Sequence, residues 1–133
     1  VPRREPFQYA VLRVVPRVDR GERMNAGVVL FARTAAYLEA RAHLDRARLA
    51  ALAPGLDPGP IERRLAGLVA IAAGAPEGGP MAALEQHGRF HWLTAPSSTM
   101  VQPSEIHTGL CEDPAAALEG LFARLVATPP AGG

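Results

Sequence analysis

The chain has 133 residues, 48% of them hydrophobic and 20% charged, with a formal net charge of +1; this is the size and composition of one globular domain. The near-neutral balance argues against a general nucleic-acid binder, and the longest apolar run, Leu65 to Ala75, is shorter than the about 20 residues a membrane span needs. Every basic side chain is Arg, so no lysine amine exists for Schiff-base chemistry.

The opening Val1-Pro2-Arg3-Arg4-Glu5 leads straight into a strand-like segment without a signal-peptide pattern. The single Cys111 has no partner for an intramolecular disulfide. A reducing, cytoplasmic setting is the expectation.

FQYAVLRVV at 7–15 is β-branched and aromatic. Alternation puts Phe7, Tyr9, Val11 and Val15 on one face and Ala10, Leu12 and Val14 on the other, so an interior strand is predicted. RVDRGERMN at 17–25 reads as a charged loop. GVVLFAR at 27–33 follows as a second two-faced strand, long enough after the loop to pair antiparallel with the first. In YLEARAHL, 37–44, Leu38, Ala40, Ala42 and Leu44 alternate with Tyr37, Glu39, Arg41 and His43. Ala, Leu, Glu and Arg also favour a helix here, but only the period of two sorts every residue, so a half-exposed strand is predicted.

Asp45 suits the N-cap of a short helix over 46–53, stopped by Pro54-Gly55. A longer helix is predicted over 59–73, with Pro60 in its first turn and Ile61, Leu65, Leu68, Val69 and Ala72 at helical spacing. APEGGP at 75–80 reads as a flexible connector, followed by a short helical turn near 81–86. A strand is predicted over 89–95, then two short strands over 99–102 and 106–110, separated by Pro103. Asp113, Pro114 and the stripe Leu118, Leu121, Phe122, Leu125 and Val126 mark a final helix. The tail 128–133 is expected to be disordered. The sum is an α+β domain over 1–127: an antiparallel or mixed sheet of five to six strands with about three helices packed on it.

Several chemistries fail on spacing. On a strand, His107 and Cys111 stand roughly 13 Å apart, too far to share a proton. His87 and His91 suit zinc only on one helix, whereas Gly88 and FHWL favour extended backbone. CxxC, HExxH, GxSxG, GxxxxGK[ST] and GxGxxG patterns are all missing. No metal and no cofactor are expected. Polar density remains: Ser97, Ser98, Thr99, Gln102, Ser104, His107 and Thr108 fall close together, and Arg17, Arg20, Arg23 and Asn25 crowd the first loop. Guanidinium forks match phosphate and carboxylate. Should the loop and the 97–108 segment converge at one end of the sheet, they would share a rim.

YAVLRVVPRVDRGERMNAGVVLF at 9–31, LEARAHLDRARLAAL at 38–52 and RFHWLTAPSSTMVQPSEIHTGLCEDPAAALEGLF at 89–122 resemble a family of uncharacterised bacterial proteins, DUF3037. The resemblance covers nearly the whole chain apart from the Gly/Pro-rich connector and the tail, and it brings no assigned reaction. It implies gene neighbourhood, and so functional partnership, with a HipA-like kinase. It also draws notice to His107-Thr108-Gly109.

Two functional readings follow. In the first, the chain is a non-catalytic accessory or regulatory module that binds a protein partner, a HipA-like kinase. In the second it is a small enzyme or sensor for a phosphorylated or carboxylated molecule. Arg17, Arg23 and Asn25 would hold the anion, His107 would act as acid or base, and Ser98, Thr99, Gln102 and Thr108 would line the pocket. DNA binding lacks a recognition-helix pattern, and neither nucleic acid nor membrane is expected as a partner.

Overall fold

The computed structural model describes residues 3–127. Its centre is a pair of antiparallel strands, β1 (Glu5–Val14) and β2 (Met24–Ala32), with Tyr9 opposite Leu30 and Leu12 opposite Gly27. A register shift falls between Leu12 and Arg13. The two-faced apolar pattern has its expected consequence, because both faces of this pair are covered. Met24 and Asn25, read as loop, already belong to β2. β3 (Tyr37–Ala42) pairs antiparallel with β2, and its alternation holds: Leu38 and Ala40 are buried, Glu39 exposed.

One face of the sheet carries α1 (Arg46–Leu52) and α2 (Gly59–Ala73). The Asp45 carboxylate accepts the Arg48 N–H at 3.1 Å and so caps α1. Gly74 stops α2 in the left-handed conformation, φ 71°, its N–H returning to Ala70 and Ile71. Ile61, Leu65, Leu68 and Ile71 bury against Leu12, Val14, Val29 and Phe31. Removing each such side chain from water contributes about 1.5–3 kcal/mol.

The other face is covered over β2 and β3 by the last helix, α4 (Pro114–Leu125). Asp113 caps it by accepting the Ala115 N–H at 3.1 Å. Leu118 and Leu121 meet Val28, Leu30 and Ala32 in a second core cluster. Arg41 of β3 pairs with Glu119 and lies over the Phe122 ring, tying the helix to the edge of the sheet.

Between α2 and α4 the chain departs from its local pattern. The stretch read as a connector opens a 3-10 segment, Pro76–Ala83, seated on α2. Gly78 lies so close that a β-carbon there would be 2.9 Å from the Ile71 backbone nitrogen. The strand expected over 89–95 is instead a helix, α3 (Gln86–Leu93). Phe90 and Leu93, three apart, are its buried side chains, and the Phe90 ring packs 5.1 Å from that of Phe31. Helical spacing satisfies both anchors at once, whereas a strand would have sent them to opposite faces.

Two short strands complete the sheet: β4 (Val101–Pro103) and β5 (His107–Cys111) both pair antiparallel with β1. The described architecture is therefore α+β, a five-stranded antiparallel sheet ordered β3-β2-β1 with β4 and β5 sharing the far edge of β1. The helices are more numerous than the reading anticipated, four α-helices and the 3-10 segment. Among the described residues no helix is long and apolar enough to cross a membrane. The tail 128–133, expected to be disordered, lies outside the described residues.

Candidate functional site

The far edge of β1 gathers half of the eight polar side chains proposed from the sequence. Val15 N–H donates to Met100 O at 2.6 Å, so the loops at 16–23 and 94–100 leave the sheet side by side. One step back, Arg13 stands opposite both Asn25 of β2 and Gln102 of β4. Leu12, Val14 and Val101 point into the α2-side core. Alternation therefore sends Arg13, Asn25 and Gln102 to the α4 side. There Asn25 Nδ2 donates to Leu125 O at 3.0 Å, satisfying a carbonyl at the C-terminal end of α4.

His107 continues this strip. It faces Tyr9 across the β1–β5 ladder, with ring centroids 5.2 Å apart. Its Nε2 lies 3.5 Å from Glu105 Oε1, an ion pair when the imidazole is protonated. The Glu105 carboxyl is held below the usual carboxylate range, first by a hydrogen bond to its own backbone and then by His107, Arg13 and Arg23. This exposed acid sits in a field set by two guanidinium groups. Among the described residues, neither Arg13 nor Arg23 has a carboxylate within 4 Å.

Of the eight side chains proposed from the sequence, four thus fall on the α4 side of this edge: Arg23 through its action on Glu105, with Asn25, Gln102 and His107. The others lie elsewhere. Thr108 pairs with Gln8 and turns to the opposite face, because its neighbour His107 takes the α4 side. Arg17 borders a hollow beside Ala53, Pro54 and Leu56 at the end of α1. Thr99 lines a separate groove along α2, and Ser98 is exposed on the same loop. The two segments do meet at one end of the sheet, but their side chains divide among several surfaces. Arg13, Tyr9 and Glu105 were missed; Arg13 carried a signal, as the only charged residue in FQYAVLRVV.

Ser104 has a structural part. Its Oγ accepts the Val11 N–H at 2.8 Å, and its N–H donates to Val11 O at 2.8 Å. It bridges the break between β4 and β5 that Pro103 imposes. Cys111 is buried in the α4-side cluster, where burial pushes its thiol up and away from nucleophilic character. His87 and His91 sit on one helix after all, and both line a hollow of about 170 Å³ with Arg33. Among the described residues no group of three or more His, Cys, Asp or Glu side chains gathers there or elsewhere in metal-binding geometry.

The outer side of this edge is open. Among the described residues β5 pairs only with β1; Leu110 within it stands 64% exposed, and Ile106, just before it, 44%. Free strand edges are pairing templates.

A family model described as "Protein of unknown function (DUF3037)" matches residues 9–126. No curated protein and no solved structure matches the chain.

Proposed function

The chain belongs to the DUF3037 family, and from that premise we propose that it is a non-catalytic accessory or regulatory module whose partner is a protein, a HipA-like kinase. The observation that carries this reading is the open β5 edge, with Leu110 exposed on it and Ile106 exposed just before it. An extended partner segment adds there as a further strand: main-chain hydrogen bonds give affinity, and alternate side chains give specificity. Arg13 and Arg23, without carboxylates of their own, favour a segment acidic where it passes them. The kinase enters through the family resemblance; the edge and its charge enter through the fold.

Co-expression with a HipA-like kinase, followed by size-exclusion chromatography, tests the proposal. The wild-type chain is expected to co-elute. The double variant Ile106→Arg/Leu110→Arg is expected to elute alone with an unchanged melting temperature, since both side chains are exposed. No co-elution of the wild type, or equal co-elution of the variant, overturns it.

A second reading, a sensor or small enzyme for a phosphorylated or carboxylated molecule, is favoured by the Arg13–Arg23–His107 strip. The Glu105 charge offsets the field of the two guanidinium groups, so Glu105→Gln would tighten binding of such a ligand. Unchanged binding in that variant would count against this reading.

A further inference from the structure

A different surface, on the α2 side of the sheet, combines an unneutralised cation with two small cavities. The Arg64 guanidinium lies 5.6 Å from the centroid of the Trp92 ring. The Arg64 side chain borders both a cavity of about 210 Å³ reaching Leu68, Leu93 and Ser97, and one of about 260 Å³ floored by Ile61, Met100 and Val101. Among the described residues no carboxylate comes within 4 Å of Arg64. A ring at this distance attracts the cation without meeting its hydrogen-bonding demand. The neighbouring hydroxyls offer no competing demand: Ser97 Oγ and Thr99 Oγ1 bond each other at 2.8 Å, and Thr99 Oγ1 donates to Val101 O at 2.9 Å.

We propose that this groove binds a small monocarboxylate with a short apolar chain, its carboxylate on Arg64 and its chain against Ile61, Met100 and Val101. A single guanidinium fork matches a carboxylate in bidentate fashion. One guanidinium leaves a doubly charged phosphate half-neutralised. Both cavities are smaller than the roughly 300–1,000 Å³ that drug-sized ligands occupy, which limits the chain to a few carbons. The groove shares no residue with the β5 edge, so this proposal and the partner proposal stand or fall separately.

Trp92 is the only tryptophan in the chain and reports directly on the site. Titration of the full chain with hexanoate, followed by Trp92 fluorescence, is expected to show saturable binding. Hexanamide, which keeps the chain and loses the charge, and acetate, which keeps the charge and loses the chain, are each expected to bind at least tenfold more weakly. Arg64→Gln is expected to weaken hexanoate at least tenfold with the melting temperature unchanged, because Arg64 is exposed. Met100→Asp, which sets a second negative charge in the apolar cavity, gives an independent loss. A response that does not saturate, equal binding of hexanamide, or full binding by Arg64→Gln overturns the proposal.

Discussion

Phe7 lies across Gly109: a β-carbon added at 109 would sit 2.6 Å from Cζ of the Phe7 ring and 2.9 Å from Cε1. The two residues are direct partners in the β1–β5 ladder, and their contact holds the aromatic row Phe7–Tyr9–His107 in place. The backbone of Gly109 is not the reason for glycine here; the ring is. Within His107-Thr108-Gly109, the His107 ring packs tilted against Tyr9 and Gly109 makes room for Phe7.

Gly109→Ala is therefore expected to destabilise the fold by about 1–3 kcal/mol through overpacking. Phe7→Leu in the same chain should recover part of the loss. A melting temperature that does not fall in the single variant would show that the ring moves aside freely.

Ser104→Ala removes the acceptor for a buried N–H. Leaving the Val11 amide without a partner is expected to cost about 1–3 kcal/mol in urea unfolding. Hydrogen exchange should quicken first at Val11, and an unchanged exchange rate there would place the acceptor elsewhere.

Leu121→Ala truncates the α4-side core, where Leu121 is 7% exposed. A loss of roughly 2–5 kcal/mol is expected. Stability equal to wild type would mean that α4 does not depend on this contact for its place on the sheet.

Tyr37 gives the fold an alkaline dependence. Burial, and then the carboxylate of Glu39, which accepts its hydroxyl at 3.3 Å, push its pKa from 10.0 up to about 12. Between those values the folded chain keeps a proton that the unfolded chain releases, so stability falls as pH rises. The contribution is whole below pH 10 and fades toward pH 12. Tyr37→Phe should flatten the stability profile across that window; a profile parallel to wild type would remove Tyr37 as its source.

Arg23→Ala with His107→Ala empties much of the polar strip while leaving both cores untouched. A cooperative melt with loss of kinase co-elution is the expected pair of results. Retained co-elution would confine the interface to Ile106 and Leu110.

Much of this fold could be read along the chain because its signals are local. The two apolar faces of β1 and β2, the alternation of β3, the Asp45 and Asp113 caps and the stripe of α2 each depend on residues within one or two turns of one another. α3 could not be read in this way. Its eight residues include Gly88 and only two buried anchors, Phe90 and Leu93, and packing against Phe31 selects the helix that local propensity leaves undecided.

The surfaces divide along the same line. Sequence alone marked 97–108 and the arginine loop as polar, and the fold set them side by side through the β1–β4 pairing. Which way each side chain points was decided only by that pairing. Adjacent residues on a strand face opposite ways, so His107 and Thr108 part company, while Arg64 and Thr99, far apart in the chain, border one groove. Composition and local periodicity determine which elements exist and which of their faces are apolar; strand register, a long-range property, determines which polar groups share a surface.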